Sequence, residues 1–219
     1  RDADEGAHRA GGDLGDGAVG RVEELGEAAV DGGDVDDAPS DAGYVSVVGN
    51  ESGTQPAFAA LKDDGSISSW GGVVQESYGT GFTRIIAAET AFTAINGDGS
   101  LYSWGGAGDA PAGNEFTQVF NTTDAFAAIR RDGTVSAWGD AAKGGDTSSV
   151  DHLLHDVVSI AGNRQAFAAL KADGTVVTWG AASHGGDSSA VADQLTGVTA
   201  IMKIDNAFTA RREDGSLVS

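Results

Sequence analysis

Five stretches decide the fold: AFAALKDDGSISSW at Ala57–Trp70, AFTAINGDGSLYSW at Ala91–Trp104, AFAAIRRDGTVSAW at Ala125–Trp138, AFAALKADGTVVTW at Ala166–Trp179 and AFTARREDGSLVS at Ala207–Ser219. Their phenylalanines, Phe58, Phe92, Phe126, Phe167 and Phe208, recur at intervals of 34, 34, 41 and 41 residues. Trp70, Trp104, Trp138 and Trp179 keep the same rhythm, and the fifth copy stops one position before its tryptophan is due. A period of this length means one supersecondary unit stacked on copies of itself.

Each unit reads as three strands. An apolar run opens it: 44–48, 82–86, 116–120, 157–161 and 198–202. The Ala-Phe-x-Ala strand follows, apolar on both faces, as expected of a strand packed between neighbouring layers. An Asp-Gly pair then closes a hairpin, placing Gly65, Gly99, Gly133, Gly174 and Gly215 where positive φ is wanted. The third strand carries Ile67, Leu101, Val135, Val176 or Leu217 two residues after that glycine and ends in Trp-Gly. The two longer units gain seven residues after Trp-Gly, where Gly-Gly-Asp and then Ser or Thr precede an amphipathic turn (Val150, Leu153, Leu154; Val191, Leu195). A short helix is expected in each, with Ser148 and Asp151 resembling a capping box.

These strings resemble the regulator of chromosome condensation repeat, a family of β-propellers, over residues 44–219. The units are shorter than that family's usual repeat and lack its Asn-x-x-Gly-Gln-Leu-Gly segment after Trp-Gly. In that respect they are closer to the propeller-type beta-lactamase inhibitor, whose blades have three strands. The resemblance implies an all-β propeller or partial propeller arc of about five three-stranded blades, with units at about 44–81, 82–115, 116–156, 157–197 and a truncated 198–219. Arg211 stands where the other copies place Leu61, Ile95, Ile129 and Leu170. A charge there marks a solvent-facing terminal copy and favours an open arc over a closed ring. The expected consequence is self-association through exposed strand edges. The chain starts at Arg1 and ends inside a copy, so it reads as a fragment of a longer protein.

Residues 1–43 hold 13 of the 33 acidic and 3 of the 13 basic residues. Their composition predicts a disordered acidic tail, with at most a weak helix over 20–30. The net charge of −20 argues against binding a phosphate backbone. No cysteine is present, so disulfides and thiolate chemistry are excluded. No run of 18 apolar residues spans a membrane, no basic-then-apolar leader opens the chain, and localisation stays open.

No catalytic, cofactor or metal site is assigned. Nucleophile elbows, phosphate loops and dinucleotide fingerprints are absent. The Phe and Trp ladders and Tyr102 are read as core. His152 and His155, with His184 in the next connection, lack the convergent ligands a metal needs. Gly-Gly-Asp at 144–146 and 185–187 lacks the nine-residue period of calcium-binding arrays. The expected function is therefore a non-enzymatic protein-binding scaffold for an unknown protein partner, with recognition in the connections 72–80, 106–115, 140–156 and 181–197. Tyr78, Asn114, Lys143, His152, His155, His184 and Gln194 are the candidate contact residues there. The family resemblance implies an alternative, a regulatory or substrate-binding propeller part of a small-GTPase exchange factor or ubiquitin ligase. A third class, an acidic cation binder, rests on charge alone.

Overall fold

The computed structural model describes residues 42–50, 56–72 and 79–219. The weak helix expected over 20–30, nearly all of the acidic tail and Tyr78 lie outside these residues. Among the described residues fifteen strands form five three-stranded antiparallel sheets, each a meander in chain order. The blades are β1 (Tyr44–Gly49), β2 (Ala57–Lys62), β3 (Ile67–Gly71); β4 (Phe82–Ala87), β5 (Ala91–Asn96), β6 (Leu101–Gly105); β7 (Phe116–Asn121), β8 (Ala125–Arg130), β9 (Val135–Gly139); β10 (Val157–Gly162), β11 (Ala166–Lys171), β12 (Val176–Gly180); and β13 (Val198–Ile204), β14 (Ala207–Arg212), β15 (Leu217–Val218).

The hairpin turns are one residue longer than a two-residue Asp-Gly turn. In the first blade the Gly65 N–H donates to the Lys62 carbonyl at 3.0 Å, while the Lys62 N–H donates to the Ser66 carbonyl at 2.9 Å. Asp63–Gly65 is thus a three-residue loop with glycine in the left-handed region at φ +77°, the arrangement that ends in a one-residue bulge. The Asp contributes a second way. Asp64, Asp98, Asp132, Asp173 and Asp214 each accept the backbone N–H two residues on, at 2.8–2.9 Å.

That glycine also makes the seam between blades. The carbonyls of Gly65, Gly99, Gly133 and Gly174 accept the N–H of Phe82, Phe116, Val157 and Val198, the opening residues of the following blades. A Cβ on Gly65 would stand 2.6 Å from the Gly81 nitrogen, and one on Gly99 would stand 2.6 Å from the Asn114 carbonyl oxygen. A Cβ on Gly215 would meet nothing within 4 Å among the described residues.

Packing alternates strictly across each sheet. Phe and Trp are cross-strand partners, stacked at 5.2–5.5 Å between centroids, and they face the preceding blade. The aliphatic residue after each turn faces the following one. Ile67 and Val48 of the first blade therefore share a core with Ile85, Phe92 and Trp104 of the second. Equivalent clusters join blades two and three, three and four, and four and five. Phe92, Phe126 and Phe167 are fully buried; Phe58 and Phe208 are half-buried. No core cluster among the described residues joins blade five to blade one.

The arrangement is an open arc, and Arg211 is exposed on the outgoing face of blade five. One expectation needs correction. Neighbouring blades meet through their faces, so the ends of the arc present sheet faces rather than the unpaired strand edges anticipated from the sequence.

Every opening strand carries a bulge, between Tyr44 and Ser46, Phe82 and Arg84, Phe116 and Gln118, Val157 and Ser159, and Val198 and Ala200. In three blades the bulged residue is Thr83, Thr117 or Thr199, whose hydroxyl donates to a carbonyl of the middle strand at 3.1–3.2 Å. The other two place Val45 and Val158 there, both half-exposed.

Candidate functional site

The connections after blades three and four do return the chain through short helical turns, but these are 3-10 helices. After β9, Asp140 caps Ala141–Lys143 by accepting the Ala142 N–H at 2.9 Å. Gly144 then reverses the chain at φ +100°. A Cβ at Gly144 would stand 2.6 Å from the Phe167 ring, and one at Gly145 would stand 2.5 Å from the Gly139 carbonyl. The Gly144 carbonyl accepts the indole N–H of Trp179 at 2.9 Å. The next connection repeats the plan with Ala182–His184, Gly185 against Phe208, and Gly186 against Gly180. The first glycine is thus demanded by close approach to the following blade and the second by close approach to the last residue of the strand just left.

Asp146 and Asp187 accept the N–H of Ser148 and Ser189. The capping box expected from Ser148 and Asp151 does not form. The second helical turn spans Asp151–Leu153, starts after Val150, and has no side-chain cap. Its position is set by Leu154, buried to 2% exposure in the core of blades three and four. Its counterpart in the next connection, Ser189–Gln194, leads into buried Leu195. The connections are therefore two-sided, with an inner row in the core and an outer row in solvent. Exposed Asp151, His152, Leu153 and His155 form the outer row in one, and Ser189, Ala190, Ala192, Asp193 and Gln194 in the other.

The candidate residues separate accordingly. Asn114, His152 and Gln194 are exposed. His155 is exposed beside the Asp156 carboxylate at 2.8 Å, with the Lys171 ammonium 3.5 Å from its other nitrogen. His184 is half-buried, its ring nitrogen 2.9 Å from the Ser183 hydroxyl and its carbonyl accepting from Asn163 at 2.7 Å. Lys143 is committed to the scaffold. Its ammonium pairs with Asp124, and its carbonyl accepts the Thr122 hydroxyl at 3.0 Å. Among the described residues no three His, Cys, Asp or Glu side chains converge on a metal position.

Asp124 was not legible as a site residue. Burial pushes its carboxyl up, but hydrogen bonds from Lys143 and from the Thr90 hydroxyl (2.9 Å) outweigh that and hold it below the ordinary 3.8. The Lys143 ammonium is raised in turn by its bond to Asp124. Asp124 sits in the turn between β7 and β8, and such turns are tied to one another around the channel. Glu89 donates its N–H to the Thr123 carbonyl, and Thr123 donates its N–H (3.0 Å) and hydroxyl (2.8 Å) to the Arg164 carbonyl.

These turns crown a central channel lined by β1, β4, β7, β10 and β13, enclosing about 310 Å³. Arg84 and Lys203 are its charged lining residues, with Gln118 and Asn121 adding polar groups; among the described residues no acid lines it. The sequence signal was available. Arg84 and Gln118 replace the Ser or Ala of the other opening strands, and Asn121 and Lys203 stand where the others have Gly or Ala.

No family model and no curated protein sequence matches the chain. Solved structures do. The ectodomain of the Physcomitrella patens receptor kinase CR4 superposes with a TM-score of 0.51 at 16% identity, covering 78% of this chain and 51% of that one. Saccharomyces cerevisiae Prp20p, the yeast RCC1, superposes with a TM-score of 0.52 at 17% identity, over 80% of this chain and 56% of that one. The fold is that of the RCC1-like propeller. The Arabidopsis thaliana ACR4 ectodomain gives a TM-score of 0.51 at 12% identity, over 80% of this chain and 71% of that one. The chain thus spans about half the length of the moss and yeast propellers, and its three-stranded RCC1-like blades are the fold its repeats implied.

Proposed function

We propose that this RCC1-like arc is a non-enzymatic scaffold that binds a protein partner through the outer rows of the connections after blades three and four. The observation that carries the reading is the two-sidedness of those segments. Leu154 and Leu195 anchor them in the blade cores, while Asp151, His152, Leu153, His155 and Gln194 are held in solvent on a backbone fixed at both ends. Leu153, an exposed large apolar residue at 41% accessibility, supplies the kind of anchor that protein interfaces use, ringed by Asp and His. A fixed backbone lowers the ordering cost of association.

The test must spare the inner row, since replacing whole connections would remove core residues. A quadruple variant with Asp151, His152, Leu153 and His155 changed to Ser retains Leu154 and the Gly-Gly turn. Proximity labelling with the unaltered chain should recover partners that this variant loses while its circular dichroism melt is unchanged. Identical partner sets for both would refute the reading.

A further inference from the structure

Each opening strand brings its third and its sixth residue to the channel at repeated positions. Three blades keep the third position small, with Ser46, Ser159 and Ala200, and three keep the sixth small, with Gly49, Ala87 and Gly162. At Gly162 the packing requires it, since a Cβ there would stand 2.2 Å from the Asn121 carbonyl oxygen. Arg84 and Gln118 at the third position, and Asn121 and Lys203 at the sixth, break the pattern, and all four line the channel. Arg84, Gln118 and Lys203 are exposed. Among the described residues neither Arg84 nor Lys203 has an ion-pair partner, in contrast to Lys143. The packing of the blades gives these side chains no task.

Charge and shape point the same way. Acids outnumber bases 33 to 13 in the chain, yet both charged residues on the channel wall are basic. Arg84 pairs with Ile95 and Lys203 with Phe208, places three residues apart in the repeat. Their levels therefore differ by about 10 Å along the channel. Gln118 shares the level of Arg84, and Asn121 that of Lys203. Between the two levels the wall is aliphatic, with Ile85, Val119 and Ile160. A space of about 310 Å³ with apolar walls and a few placed polar groups is the form a small-ligand site takes.

We propose that the channel binds a small, elongated dianion, one anionic group held by Arg84 and Gln118 and the other by Lys203 and Asn121. Its apolar middle lies against Ile85, Val119 and Ile160. A guanidinium takes a carboxylate or phosphate through two parallel hydrogen bonds, and an ammonium serves as a point charge. The Asn121 amide gives one N–H to the Thr122 carbonyl at 3.1 Å and has a second for the ligand. The four polar residues belong to blades two, three and five, whose placing is set by the seams from blade two to blade five. The site is independent of the outer rows of the connections proposed above to bind a protein.

Isothermal titration calorimetry on the complete chain at low ionic strength tests it. The probes are suberate, the bisphosphate of 1,6-hexanediol, and octanoate as the monoanion. At least one dianion should bind, and the tighter of the two identifies the anionic group. Octanoate should bind weaker by about tenfold or more. Arg84→Gln and Lys203→Gln should each lower the affinity for the dianion by about tenfold or more, with unchanged circular dichroism melts because both side chains are exposed. Arg131→Gln removes an exposed arginine outside the channel lining and should leave the affinity as it was. No binding of either dianion, octanoate binding as tightly as suberate, or an affinity that both channel variants retain would each overturn the proposal. So would an equal loss in Arg131→Gln, which would assign the binding to overall charge.

Discussion

If the turn glycines are required chiefly by the seams, then the same substitution should have unequal costs along the chain. Consider Gly99→Ala and Gly215→Ala. Both glycines sit in the left-handed region, at φ +86° and +82°, so both variants incur the same backbone strain, about 1–2 kcal/mol. They differ in what the new methyl meets. At Gly99 it would stand 2.6 Å from the Asn114 oxygen and 2.8 Å from the Phe116 oxygen, backbone atoms of the third blade's approach. At Gly215 it meets nothing within 4 Å. Overpacking of that kind adds about 1–3 kcal/mol. The difference between the variants isolates the seam, because the conformational cost cancels. It should appear as a lower melting temperature of Gly99→Ala, by about 2–4 °C for each kcal/mol in a domain of this size. Circular dichroism in the strand region is the suitable probe, since blade five contains no tryptophan. Equal losses for the two variants would refute the argument that the following blade, rather than the turn alone, demands glycine.

Phe126→Ala should cost about 3–5 kcal/mol, because Phe126 is fully buried between blades two and three. Phe58→Ala should cost clearly less, its ring being half-buried; denaturant midpoints at constant slope compare the two. Val158→Thr should raise stability by about 0.5–1.5 kcal/mol, since three sister blades bond a threonine hydroxyl to the middle strand at that bulge. A neutral or lower midpoint would count against it. Acid should destabilise the fold. The side-chain and backbone groups of Ser or Thr two residues on hold Asp64, Asp98, Asp132, Asp173 and Asp214 below 3.8. Depressed folded-state values mean a contribution present above the unfolded value and lost as pH falls through the folded ones. Melting temperature should therefore drop below about pH 4, and Asp→Asn at the five turns should flatten that part of the profile.

The scaffold was legible because its rules are local. Alternation of apolar residues, a turn that needs glycine after Asp, and a Phe–Trp cross-strand pair all act within about twenty residues, so the repeated string alone specified three strands per blade and the identity of the core aromatics. Arg211 stood out in the string as well, a charge in an otherwise apolar column, and the structure leaves it exposed. What the string left undetermined lies in the contacts its connections make. Gly-Gly-Asp at 144–146 read only as the approach to a helical turn, whereas Phe167 and Gly139 stand against its two glycines. Lys143 read as a candidate contact residue of its connection, although Asp124, nineteen residues earlier, claims it. Arg84 and Lys203 share a channel although two whole blades separate theirs in sequence. The placing of Phe167 against Gly144 and of Arg84 and Lys203 in one channel depends on how far each blade is rotated from the last, and that rotation is fixed by the summed packing of two faces, not by the propensity of any segment; Asp124 and Gly139 meet Lys143 and Gly145 through the path of the connection after β9. By itself the sequence determined the blade; only the tertiary structure decided which residues the stacked blades bring together.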